Sequence, residues 1–185
     1  MDRADENFDY NTQHARLHPI LRNTARQMGY ADLYLVDAQT GLVMYSVNKQ
    51  IDFGTSLQDG PFTDTPLGKA YRDALKLQLA DEVVLTDFAP YVPALNESRA
   101  FVSAPVFTRE NLAGVVIFAL ESEFVASMLT SVSGMGSTGQ VRLLGEDALP
   151  RSAIRFHADD AWDTKIEYPL VPVDLPEVKS ALGGN

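Results

Sequence analysis

Carboxylates, aromatic rings and hydroxyls are concentrated in two stretches of this chain. "YSVNKQIDFGTSLQDGPF", residues 45–62, carries Lys49, Asp52 and Asp59 together with Tyr45, Phe53 and Thr55. It is too polar for a core strand and too broken by glycine for a helix. "TDFAPYVP", residues 86–93, sets Asp87 beside Phe88 and Tyr91 in a proline-bounded segment. Strand alternation puts Asp87 at the end of the row Val83, Leu85, Asp87. A carboxylate flanked by two rings at a sheet edge suits a cation or an amine. The alternative is that Asp87 caps a turn through its side chain. Ser103 and Tyr45 sit in apolar strands, where each lines a pocket or faces solvent.

Other chemistries find less support. Asp52, Asp81, Glu82 and Asp87 would serve acid–base catalysis only if two of them met, which the sequence does not establish. No Gly-x-Ser-x-Gly elbow is present. His14 and His18 have the four-residue spacing of a helical metal pair, but no cysteine exists and His157 is far away, so helix-face histidines are the simpler reading and no metal or cofactor is expected. "GMGSTG" (134–139) lacks a P-loop lysine. The formal charge of −10 argues against nucleic acid and against anionic lipid, both of which attract basic surfaces.

The positioning elements follow from periodicity. Residues 5–28 read as a helix interrupted by Pro19 and stopped at Gly29. "YADLYLVD" (30–37) and "LVMYSVNK" (42–49) form a hairpin around "AQTG". An amphipathic helix spans 65–81, with Thr65 as its N-cap and Pro66 at its first position. Strands are expected at 82–88, 99–107 and 112–120, with Pro105 marking an edge or bulge, then a helix at 121–132. Glycine-rich 133–140 reads as a hinge, followed by a hairpin over 140–152 and a proline-rich tail without periodicity. The order gives an α+β domain: a long N-terminal helix and an antiparallel five-stranded sheet with flanking helices. The domains are 1–29, a helix; 30–132, the sheet module; and 133–185, a truncated second module. No apolar run reaches the roughly 18 residues of a membrane helix, and the acidic N-terminus is no signal peptide.

The motifs "YSVNKQIDFGTSL", "GPFTDTPLGKAY", "TDFAPYVPA" and "SAPVF", in that order, resemble the extracytoplasmic Cache sensor family, whose modules are PAS-like. The likeness covers nearly all of residues 10–152, and "SGMGSTGQVRLLGEDALPRS" is similar to the junction into the membrane-proximal module of double Cache proteins. It implies a periplasmic sensor of a membrane-anchored receptor, with a small molecule bound between sheet and covering loop and a cytoplasmic kinase, chemoreceptor or cyclase output outside this chain. It also implies pairing of the N-terminal helix in a homodimer. On this reading Tyr45, Phe53, Phe88 and Tyr91 supply aromatic walls. Lys49 meets a ligand carboxylate, Asp52 and Asp87 meet an amine or hydroxyls, and Thr55 and Ser103 exchange hydrogen bonds. The Tyr/Arg/Trp/Tyr/Asp set of amino-acid-binding double Cache domains is not evident, and the second module is cut short. The rivals are a ligand-free dimerisation module with a filled core and, last, a small hydrolase using Asp52 or Asp87.

Overall fold

A computed structural model of the chain describes residues 8–109, 111–130, 143–151 and 172–183. The chain divides into two units, Met1–Leu120 and Glu121–Asn185. The first contains helix α1 (Phe8–Gln27), strands β1 (Asp32–Asp37) and β2 (Val43–Ser46), helix α2 (Pro66–Ala74), the short strands β3 (Val84–Leu85) and β4 (Ala89–Tyr91), and the long strands β5 (Glu97–Thr108) and β6 (Asn111–Glu121), which reach the boundary.

Helix α1 runs through Pro19 and ends as the glycine signal requires. Gly29 takes φ +75°. Tyr30 N–H reaches Ala25 O at 2.9 Å and Gly29 N–H reaches Arg26 O at 3.2 Å, the paired bonds of a Schellman stop. In the first hairpin the Asp37 carboxylate accepts from Gln39 N–H and from both Thr40 donors. Gly41 turns at φ +67°, where an added Cβ would lie 2.8 Å from Gln58 N.

Helix α2 starts at its expected cap. Thr65 Oγ1 accepts from Gly68 N–H at 3.3 Å and Pro66 follows it. It stops at Ala74, short of the expected residue 81. The Glu82 carboxylate accepts from Gln78 and Leu79 N–H groups, which gives those donors a partner outside a helix.

The sheet order is β2-β1-β6-β5-β3, with β4 also on β5, and the pairings recorded for β1, β2, β3 and β4 are antiparallel. The expected strand 82–88 is thus reduced to the two residues of β3, and β4, beyond its expected end, follows on the same edge of β5. Pro105 lies beyond the β3 pairing, which ends at Ser103, so the missing N–H costs that edge nothing. One sheet face carries Tyr34, Val36, Val43, Phe101, Val115 and Ile117, packed with Leu67, Ala70, Tyr71 and Ala74 of α2 and with Leu57 and Phe62 of the 47–65 loop. The other face carries Leu33, Leu35, Tyr45 and Phe118 against Leu21 and Ala25 of α1.

In the second unit, α3 (Ser122–Thr130) and α4 (Pro176–Leu182) are helical. Leu144 and Pro150 bridge antiparallel around a turn, as the hairpin reading of 140–152 requires at that point. The Arg151 guanidinium pairs with Asp147 at 2.9 Å. Helix α4 was not legible in the tail. The hinge expected at 133–140 lies outside the described residues.

Candidate functional site

Asp52 is the centre of the polar chemistry on the α2 face. The loop that carries it is bound to the edge of β2. Val43 N–H reaches Thr55 O at 2.9 Å, Gly54 N–H reaches Val43 O at 3.1 Å, and Leu57 N–H reaches Gly41 O at 2.8 Å. Leu42 and Ser56 form an antiparallel bridge. Thr55 donates its hydroxyl to Asp52 O at 2.7 Å, closing the turn from within. The "FGTSL" segment therefore extends the sheet edge, and it drives the Asp52 side chain inward to 0% exposure.

Tyr91 of β4 donates its hydroxyl to Asp52 Oδ2 at 2.6 Å. The Tyr34 hydroxyl, from β1, also favours the charged carboxylate. The second oxygen, Oδ1, is buried with no hydrogen-bond partner among the described residues. Burial raises the Asp52 pKa above the ordinary carboxylate range, and the two phenols, with the backbone N–H groups of Asp52 and Phe53, offset part of that rise. Burial and the neighbouring acids raise both phenols as well.

A second acid shares this environment. Asp32, at the start of β1, accepts from Leu33, Val47 and Asn48 N–H groups through Oδ1, while its Oδ2 is buried without a partner among the described residues. Desolvation pushes its pKa up to about 6, with the Asp52 charge adding to the rise. Asp32 and Tyr34 were missed in the sequence, although the two-residue period of "DLYLVD" places them on the same face as buried Val36.

The structure brings together only some of the expected residues. Asp52, Tyr91 and Ser103 are buried, with Tyr91 edge-on to Phe101 at 5.1 Å between ring centres. Ser103 donates to Ala70 O at 2.8 Å and so ties β5 to α2. Lys49 and Phe53 are half-buried at the rim, with the Lys49 ammonium 6.0 Å from the Phe53 ring centre. Phe88 is buried. Asp87 is exposed and accepts from the adjacent Phe88 N–H at 2.7 Å, the turn-capping alternative. Val83 and Leu85, at 64% and 66% exposure, show that the row Val83, Leu85, Asp87 is the outer one.

Tyr45 lies on the opposite face, beside α1. The register of β2 explains this: Tyr45 pairs with Leu35 and Val43 with Val36, so Met44 is an extra, bulged residue. The bulge reverses the alternation, sending Val43 toward Asp52 and Tyr45 toward α1, where its hydroxyl meets His18 Nδ1 at 2.9 Å. A second slip re-phases the other edge. Leu85 pairs with Val102 but Ala89 with Arg99, and this shift is what turns Tyr91 inward.

Two carboxylates, each with an oxygen unpartnered among the described residues, and two phenols can bind a cationic group with several acceptors. Among the described residues no group of three metal-ligating side chains occurs, and no helix is long and apolar enough to cross a membrane.

No protein-family model matches the chain. No curated protein matches it. Its fold is shared with solved structures. The ligand-binding domain of the Campylobacter jejuni chemoreceptor Tlp3, in complex with 4-methylisoleucine, has TM-score 0.55 at 14% identity over 80% of this chain and 55% of that one. That of the Pseudomonas fluorescens chemoreceptor CtaA, in complex with L-isoleucine, has TM-score 0.52 at 18% identity over 84% and 56%. That of the Pseudomonas aeruginosa amino-acid chemoreceptor PctC, in complex with GABA, has TM-score 0.51 at 20% identity over 83% and 59%. The chain thus spans little more than half the length of these structures. With its N-terminal helix, antiparallel sheet and flanking helices, the chain has a PAS-like fold, shared with these ligand-binding domains.

Proposed function

We propose that this chain is the periplasmic small-molecule-sensing part of a membrane-anchored signalling receptor, and that its ligand docks an ammonium group beside Asp52. The observation that carries this reading is the Asp52 carboxylate, fully buried on the α2 face with one oxygen bonded by Tyr91 and the other without a hydrogen-bond partner among the described residues. Burying an ionised carboxylate is costly unless a counter-charge or donors compensate it. An ammonium supplies both, and Asp32 adds a second acceptor. The 4-methylisoleucine, isoleucine and GABA held by the structural neighbours are all amines carrying a carboxylate. Here Lys49, at the rim, is placed to meet such a carboxylate. Binding shifts the population between a closed and an opened state of the 47–53 turn, because only differential affinity moves such an equilibrium, and α1 passes that shift to an output domain. No catalytic step is assigned.

Calorimetric titration with a panel of amino acids, simple amines and dicarboxylates tests this. Amines should bind saturably, and Asp52→Asn should weaken them at least tenfold while the domain still unfolds cooperatively. Equal binding by the variant, or no response to any amine, would remove the proposal.

A dimer through α1 is the complementary reading. Tyr10, Leu17 and Ile20 follow three- and seven-residue spacings and are exposed, Ile20 at 62%. Leu17→Glu with Ile20→Glu should reduce the mass measured by light scattering from dimer to monomer.

A further inference from the structure

A cavity of about 750 Å³ lies along α1, the helix packed on the sheet face away from Asp52. That is the size of a small-molecule site. Its described lining includes Asn11, Thr12, His14, Arg16, His18 and Arg22. In a chain of net charge −10, this lining carries two arginines and two histidines and no carboxylate among the described residues. Four groups that are cationic or can become so therefore line one cavity from little more than two turns of helix.

Two features make this more than a basic stripe. The Arg22 side chain is half-buried, and its Nε is buried with no hydrogen-bond partner among the described residues. A guanidinium donor removed from water and left unbonded is costly, and the cost is relieved by an oxyanion that engages the planar fork. The histidines are also held in place. Their rings stack at 4.7 Å with 17° between planes, and His18 Nδ1 is fixed at 2.9 Å by the hydroxyl of buried Tyr45. Near-parallel rings, one with Nδ1 already engaged, are poorly arranged for their lone pairs to converge on one metal ion.

We infer that this cavity is a second binding site, for a small oxyanion bearing at least two negative charges, such as a polycarboxylate or a phosphate group. Arg22 supplies the guanidinium fork with its buried Nε, and Arg16 the outer charge. Because it uses α1 and not the Asp52 face, the site stands independently of the amine reading.

The test uses the whole chain and three probes, citrate, succinate and inorganic phosphate, each compared with chloride at matched ionic strength by calorimetry and thermal unfolding. At least one oxyanion should bind saturably, and which one does so identifies carboxylate or phosphate as the preferred chemistry. Arg16→Gln with Arg22→Gln should weaken that binding at least tenfold. Arg22→Lys, which keeps the charge but loses the fork, should give an intermediate loss and guards against misfolding of the double variant. A response equal to that of chloride, undiminished binding in both variants, or saturation by Zn²⁺ and by no oxyanion would overturn the inference.

Discussion

The Tyr91 hydroxyl donates to Asp52 Oδ2 at 2.6 Å, joining a loop beyond β2 to an edge strand 39 residues further on. Both side chains are buried, so the bond is shielded from water, and ionised Asp52 makes it charge-assisted. Tyr91→Phe should lower stability by about 1.5–3 kcal/mol, the range for hydrogen bonds to charged groups. In an Asp52→Leu background the same change should cost far less, because no carboxylate is left for the phenol to serve. Urea unfolding of the four proteins measures the coupling.

Asp32 gives the domain an unusual response to acid. Its folded pKa is raised to about 6 from 3.8, chiefly by desolvation. A raised folded value means that the native state holds its proton more tightly than the unfolded chain. The resulting stabilisation is complete below pH 3.8 and is lost as pH climbs to about 6. Above that window the ionised Asp32 costs on the order of 3 kcal/mol. The stability difference between wild type and Asp32→Asn should therefore be larger at pH 7 than at pH 4, in favour of the variant. Denaturant unfolding at both pH values checks the sign.

Ser103 acts through the helix. Its hydroxyl bonds Ala70 O at 2.8 Å in a buried setting. Ser103→Ala leaves that contact unmade and should destabilise the domain by about 1 kcal/mol. The loss should appear as faster amide exchange in α2, with little change in β1 and β6.

Tyr45 separates the two faces experimentally. Tyr45→Phe removes the bond to His18 and leaves Asp52 untouched. It should cost about 0.5–1.5 kcal/mol, shift the His18 ring resonances, and leave any amine titration unchanged. A change in amine affinity would place Tyr45 in the Asp52 site after all.

Much of the framework was legible in local chemistry. Gly29 ended α1, Thr65 and Pro66 began α2, and Gly41 turned the first hairpin, each through a backbone demand confined to a few neighbouring residues. The length of α2 was less legible, because Glu82 caps Gln78 and Leu79 from beyond the helix. In the site, Asp52, Tyr91 and Ser103 were expected among the binding residues and are buried on one face. Asp32 and Tyr34 carry no local mark that sets them apart in their strand, and the inner face beside Asp87 is the one that Thr86 and Phe88 occupy.

The sequence by itself determined where α1 ends, where α2 begins and where the first hairpin turns, and that a polar, aromatic loop follows that hairpin. Which side chains meet was decided only by tertiary pairing. A strand repeats every two residues, so a single extra residue exchanges its faces. Met44 does this to β2, and the shift between Leu85 and Ala89 does it beside β5. Neither slip is written in the local pattern, because each arises from hydrogen bonding to a partner strand. The first sends Tyr45 to α1 and the second brings Tyr91 to Asp52.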